Sequence, residues 1–313
     1  MSPNRRYRLR WVDVFTERAL AGNPLAVVLE ADGLSPARMQ AIARETNLSE
    51  TTFVLPATSA GNAARVRIFT PHMELPFAGH PTVGTGWVLL DEGIVAEDAG
   101  SFVLEEGVGP VPVRVDRSGP TQRLWMTHPP VKYGEVLDER QDIASALGLS
   151  TEHLARDVPI QVVTTGVPFL YVALTDARAV DAAVSSGEAL TSVLDAHGLP
   201  PVFLFAAVGE NRLYSRMFGP HSATRITEDP ATGSASGPLG AFAVRYGLIA
   251  RAAEVPIVSE QGTKMGRQSF VHIRLIYADL ADDPNRIEVG GSVVPVMTAE
   301  LAVTDDPDST ITS

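Results

Sequence analysis

Three short stretches of this chain carry side chains able to move a proton. Glu50 stands in "NLSETTFV", His80 in "FAGHPTVGTG" and Asp229 in "TEDPATGSASG". A histidine and a carboxylate facing one cleft are the groups that general acid–base chemistry uses. A glutamate set in an apolar pocket has its pKa raised toward neutrality, so it can take a proton and also return it. That combination suits an isomerase, which shuttles a proton between two carbons. Each residue also has a plainer reading: Glu50 as a solvated charge at a strand entrance, His80 as a surface residue before a helix, and Asp229 as a helix cap before Pro230. Other chemistries fail on inspection. The chain has no cysteine, which removes disulfides, thiolate ligands and thiol nucleophiles. "GSASG" has Ala235 at its centre, so it is not the G-x-S-x-G elbow of a serine hydrolase. The glycine-rich turns match neither the dinucleotide fingerprint nor the phosphate-binding loop. His72 and His80 have only Glu74 near them in sequence, and no metal site is expected.

The elements that must hold these groups come in duplicate. "RIFTPH" from Arg67 and "RMFGPH" from Arg216 lie at an offset of 149, and the same offset pairs Pro81 with Pro230, Gly84 with Gly233, and His80 with Asp229. "AGNPLAVVL" (Ala21 to Leu29) resembles "TGVPFLYVAL" (Thr165 to Leu174), and "FVLP" from Phe53 lies opposite "FLFA" from Phe203. Two homologous halves are therefore expected, over 1–126 and 127–303, with a polar, disordered tail at 304–313; whether the last strand returns to the first half stays open. Within the first half, "YRLRWVDVF", "LAVVLEA", "TTFVLPA" and "AARVRIFTP" read as strands, and "SPARMQAIARETN" as an amphipathic helix with a Ser-Pro start. "SGEALTSVLDAHG" fills the same slot in the second half. After His80 and Asp229 the spacing predicts helices that begin at Pro81 and Pro230, with His80 and Asp229 as their caps, and that end at Gly93 and Gly247. Their first turns hold small residues, which lets a helix thread closely between strands. A pseudo-twofold would bring the two helix N-termini together, and their free N–H groups and dipoles would form a site for a carboxylate. Glu50 breaks the symmetry, because its counterpart lies near Pro200. Asp13, in "WVDVF", alternates with apolar neighbours and is a candidate for orienting substrate.

The bulk composition bounds the partners. With 313 residues, 45% of them hydrophobic and 20% charged, the chain reads as a soluble globular protein. A net charge of −12 opposes nucleic acid, whose binding relies on clustered cations. No signal peptide and no membrane span is read, so a cytoplasmic protein with a small-molecule partner is expected.

The combination of "DVFTERALAGNPLAVVL", "IARETNLSETTFV", "RIFTPHMELPFAGHPTVGTG", "SRMFGP" and "EDPATGSASGPLGAFAVRYG" resembles the PhzF family, the phenazine-biosynthesis isomerases, from about residue 7 to 300. The resemblance implies an α+β fold similar to diaminopimelate epimerase: two pseudo-symmetric halves, each a curved sheet wrapped around a central helix, with the site in the cleft between them. It implies catalytic roles for Glu50, His80 and Asp229, a substrate-positioning role for Ser49, and backbone contacts to a small carboxylate substrate around Gly79, Gly233 and Ser234. It further implies isomerisation of trans-2,3-dihydro-3-hydroxyanthranilate without a cofactor, and a homodimer. Two rivals stay open at this point: an isomerase of another amino or hydroxy acid, and a ligand-binding protein that has lost the chemistry.

Overall fold

The first half opens on β1 (Arg5–Val14), whose alternate residues Val12 and Val14 face the core, and β2 (Asn23–Val28), buried on both faces. A helix follows, α1 (Pro36–Thr46), for reasons local to its sequence. The Ser35 hydroxyl accepts the Arg38 N–H, Pro36 opens the first turn, and Asn47 closes the last one in a left-handed conformation (φ 51°). Its buried face, Met39, Ile42 and Ala43, packs with Phe53 and Phe69. The half continues through β3 (Thr51–Leu55), β4 (Ala64–Phe69), β5 (Glu74–Leu75), α2 (Gly79–Asp91), β6 (Ser101–Glu106), β7 (Gly109–Asp116) and β8 (Arg123–His128). The second half repeats this plan with β9 (Lys132–Leu137), α3 (Arg140–Ala146), β10 (Ile160–Thr164), β11 (Pro168–Ala173), α4 (Ala177–Ala182), α5 (Glu188–His197), β12 (Val202–Gly209), β13 (Arg212–Gly219), β14 (Ile226–Asp229), α6 (Gly233–Arg245), β15 (Glu254–Gln261), β16 (Ser269–Ile276), β17 (Arg286–Gly291) and β18 (Val293–Val303). The computed structural model describes residues 5–184, 188–219, 226–278 and 281–303. The tail at 304–313, and Pro220 and His221 of the second repeat, lie outside the described residues.

Strand pairing runs through one continuous ladder: β18, β1, β2, β3, β4, β6, β7, β8, β17, β16, β15, β13, β12, β11, β10, β9. Four pairs are parallel, β2 with β3, β4 with β6, β11 with β12 and β13 with β15, and each is joined by a helical crossover, as parallel neighbours require. The two halves meet where β8 pairs with β17, so residue 126 falls inside a strand shared by both. The last strand, β18, pairs along the whole of β1.

Helices α2 and α6 sit inside this ladder. α2 packs on β1, β2, β3, β8, β17 and β18, and α6 on β10, β11, β16 and β17. Both are buried almost all round, as a helix surrounded by strands must be. The small residues of their sequences allow this: a Cβ on Gly84 would come within 2.6 Å of the Leu25 side chain, and one on Gly240 within 2.8 Å of Ile273. Each run stops where expected, at Gly93 and Gly247 in left-handed conformations.

The helix starts depart from the sequence reading. α2 begins at Gly79 with Ala78 as its cap, which puts His80 inside the first turn. α6 begins at Gly233 with Thr232 as its cap, three residues beyond Asp229, which ends β14. The cause is the side chain of Gln261. It donates to the Asp229 carbonyl (2.8 Å) and the Thr232 hydroxyl (3.0 Å) and accepts the Thr232 N–H (3.0 Å), holding residues 229–232 out of the helix.

Candidate active site

The N-termini of α2 and α6 touch. A Cβ built on Gly79 would lie 2.6 Å from Gly233 Cα and 2.6 Å from the Ser234 nitrogen, so only hydrogen fits between the two helix ends. The N–H groups of a helix's first turn have no acceptor within the helix, and the dipoles add positive potential there. Gly79, Gly233 and Ser234 thus lie together at a point suited to an anion.

Around this point the structure gathers Glu50, from the turn before β3, His80, from the first turn of α2, and Asp229, from the end of β14. His80 Nε2 lies 3.5 Å from Glu50 Oε2, and both side chains are buried. Among the described residues neither atom has a hydrogen-bond partner. Burial away from water pushes the Glu50 carboxyl up to about 8, with the nearby Asp229 charge adding to the effect. Burial pushes the His80 imidazole down to about 3, so it is neutral at physiological pH.

Asp229 differs from Glu50 in being fully engaged. Its Oδ2 accepts from the Thr232 hydroxyl (2.6 Å) and its Oδ1 from Asn23 Nδ2 (2.9 Å), and Ser49 also bonds to it. Its pKa is raised by burial, while the hydrogen bonds from Thr232, Asn23 and Ser49 pull it back down.

Asn23, the first residue of β2, is the junction of the site. Its amide nitrogen faces Asp229 Oδ1, the Ala231 carbonyl (2.9 Å) and His80 Nδ1 (3.1 Å). The carboxylate and the carbonyl are both acceptors, which orients the Asn23 amide with its NH₂ toward them. The amide's two hydrogens are shared among three neighbours, and its nitrogen cannot accept a proton from His80 Nδ1, so the imidazole proton resides on Nε2, the atom facing Glu50. Asn23 was not among the expected site residues; its only signal is its place in "AGNPLAVVL". Thr232 and Gln261 were missed as well, because their part is to hold Asp229 and the chain beyond it.

Asp13 stands apart. It is 1% exposed, its Oδ1 takes Arg267 Nη2 at 2.5 Å, and its Oδ2 takes the Leu20 N–H at 2.6 Å. Among the described residues no hydrogen bond or ion pair joins it to Glu50, His80 or Asp229. Arg267 also binds the carbonyls of Ala21 and Gly22, so Asp13 anchors the loop leading into Asn23 rather than presenting its carboxylate to substrate.

The fold has the diaminopimelate epimerase-like architecture, and family membership makes the protein an isomerase. Comparison with known proteins makes this specific. The model of the family described as phenazine biosynthesis-like protein matches residues 12–299, and the chain belongs to that family. It is 37% identical over 283 residues to trans-2,3-dihydro-3-hydroxyanthranilate isomerase of Pseudomonas chlororaphis, covering 90% of this chain and 95% of the relative. It is 30% identical over 305 residues to an uncharacterised isomerase of Clostridium acetobutylicum, covering 96% of this chain and 99% of the relative. Among solved structures it is similar to a PhzF-family protein of Bacillus anthracis, with a TM-score of 0.86 and 26% identity, covering 96% of this chain and 100% of that one. No helix among the described residues is long and apolar enough to cross a membrane.

Proposed function

We propose that this protein isomerises a small cyclic carboxylate, trans-2,3-dihydro-3-hydroxyanthranilate, with Glu50 as the group that carries the proton. The observation that supports this reading is the pair of buried, unpartnered atoms, Glu50 Oε2 and His80 Nε2, 3.5 Å apart beside two helix ends. The ionised Glu50 takes the proton from C3 of the ring. The C–H electrons form a C3=C4 double bond, the C4=C5 pair moves to C5=C6, and the C6=C1 pair takes the same proton at C1, so two double bonds remain. Atoms and charge balance, because the net change is one proton moved within the substrate. The product is an enol whose tautomer is a ketone. A desolvated carboxyl with a pKa near the working pH is fitted to both halves of the transfer. The N–H groups at Gly79, Gly233 and Ser234 hold the substrate carboxylate. His80, through Nε2–H, and Asp229 hold the hydroxyl and amino groups, with Ser49 steadying Asp229.

The test is NMR of the purified protein with that substrate in D₂O. The expected result is loss of the diene, with a substrate-derived proton at C1 because Glu50 is shielded from solvent. A folded protein that leaves the diene intact would overturn the assignment of substrate. One observation favours a second reading, the same proton shuttle on another amino or hydroxy acid: similarity to the uncharacterised Clostridium isomerase extends over nearly the full length of both chains. Conversion of starting acid to isomer, followed by NMR across a set of small cyclic acids, separates the two. We also infer a homodimer, which light scattering of the purified protein checks.

A further inference from the structure

On the face of the sheet turned away from the core, one row of residues crosses six strands drawn from both halves. Arg212 on β13 is registered with Val258 on β15, Val258 with His272 on β16, His272 with Gly290 on β17, Gly290 with Trp125 on β8, and Trp125 with Arg114 on β7. Registered neighbours project to the same face. The alternate residues Leu213, Ile257, Val271, Ile273, Val289, Leu124 and Met126 belong to the core, which fixes this row on the other side. Strands lie ~4.8 Å apart, so the Arg212 backbone is about 10 Å from that of His272. Arg123, two residues before Trp125, flanks His272 from the opposite side.

Two adjoining cavities lie over this row. One of about 390 Å³ is lined by Phe15, Glu17, Arg18, Arg123, Arg212 and His272 among others, and one of about 590 Å³ extends past Trp125 and Pro256. They share Arg123, Arg212, Val258 and His272 and form one groove.

The charges in the groove fall into two groups. Arg114 and Arg274 are neutralised, by Glu288 and Asp116 and by Glu254 and Glu288 respectively. The other three arginines are not. Arg212 has no ion pair or hydrogen bond from its side chain among the described residues. Arg123 has one carboxylate contact, Glu17 at 4.0 Å, and its Nε is buried without a partner. Arg18 meets only the neutral Gln268, at 3.4 Å. Four acids line the two cavities: Asp116 and Glu254 are held by Arg114 and Arg274, Glu17 lies 4.0 Å from Arg123, and Glu210 faces the second cavity, which leaves Arg18 and Arg212 without a carboxylate partner among the described residues. His272 registers the resulting potential: burial first, then the charges of Arg123 and Arg212, hold it down to about 4, against the opposing pull of Glu17. Unneutralised like charges in a partly enclosed groove repel one another, and a bound anion offsets that cost. Guanidinium groups match the oxygens of phosphate, and two of them can share one tetrahedral anion.

We propose that this groove is a binding site, separate from Glu50, His80 and Asp229, for a tetrahedral oxyanion held between Arg123 and Arg212. Arg18 stands at its rim, and Trp125 and Pro256 offer an apolar wall to an organic group carried by the anion. The ligand class is a small phosphate ester, with free phosphate as the other source of the same chemistry.

The experiment follows the ring carbon proton of His272 by NMR across a pH titration, with the resonance assigned from H272Q. Sodium phosphate, phenyl phosphate and sodium chloride are compared at matched ionic strength. With either phosphate, the His272 pKa is expected to climb from about 4 toward the ordinary histidine value, because a bound anion masks the arginines that depress it. The double variant R123Q/R212Q, checked for folding by near-UV circular dichroism, is expected to bind at least tenfold more weakly. Tighter binding of phenyl phosphate identifies an ester site, and equal binding identifies a site for the free ion. A response no larger than that to chloride, or one that persists in R123Q/R212Q, would overturn the proposal.

Discussion

The N-termini of α2 and α6 are alike in packing and opposite in polar bookkeeping. Each helix is buried, glycine-led and pressed against its counterpart at Gly79 and Gly233. Yet the groups on the first-half side, Glu50 and His80, keep buried atoms without partners, whereas Asp229 on the second-half side is engaged through both oxygens by Thr232, Asn23 and Ser49. A buried polar atom left unpaired costs free energy, so it is tolerated where something else is to bind. On the proposed mechanism, the contrast would separate a reacting side from a holding side in a scaffold that is otherwise duplicated.

The sharpest way to break that division is Glu50→Gln. Retained fold and substrate binding are expected, with turnover lower by a factor of roughly 10² to 10⁴, the range for loss of a general acid–base group. Comparable turnover in the variant would remove Glu50 from the reacting side. Next comes the pH dependence. Since Glu50 must be ionised to take a proton and burial holds its pKa up to about 8, turnover is expected to rise through that pH and to be about a hundredfold lower two pH units below it. His80, pushed down to about 3, contributes no limb of its own above pH 5. A profile that is flat between pH 6 and 9 would count against the assignment.

Asp229→Asn tests the holding side. Losing one charged hydrogen-bonding partner is worth ~1.5–3 kcal/mol, so a fall of roughly 10- to 100-fold in kcat/KM is expected, smaller than that of Glu50→Gln. The reverse order of the two effects would exchange the roles. The shared packing is tested by Gly79→Ala. The added methyl meets the backbone of Gly233 and Ser234, which cannot rotate away, and overpacking of this kind costs about 1–3 kcal/mol. A lowered midpoint in urea unfolding checks it, and an unchanged midpoint would mean that the helix ends are free to separate.

The sequence displayed much of this and hid some of it, for physical reasons. Glu50, His80 and Asp229 were legible because each sits in a short motif whose glycine and proline content marks a constrained turn. The duplication was legible in the strands, where Arg67 and Arg216 keep their spacing along β4 and β13. It misled at the helices. Gly79 and Gly233, which actually face each other, are 154 residues apart, so the offset of 149 that aligned His80 with Asp229 ran the second helix too early. Nothing in the local sequence around Pro230 reveals that Gln261, a strand away, holds that segment out of the helix. Asn23 escaped for the same reason, since its amide reaches His80 and Asp229 across 57 and 206 residues of chain. Asp13 was placed near substrate from its alternation alone, and its partner Arg267 lies 254 residues away.

The return of β18 to β1 carries a consequence for how this molecule is made. Arg5 pairs with Val303, so β1 waits for β18, made about 290 residues later, before its outer edge is covered. Domains that close on themselves can fold as they emerge, whereas here the nascent first half presents an open strand edge through the synthesis of everything that follows. Chains ending before residue 293 would keep that edge permanently, which makes premature termination a route to aggregation rather than to a working half-protein.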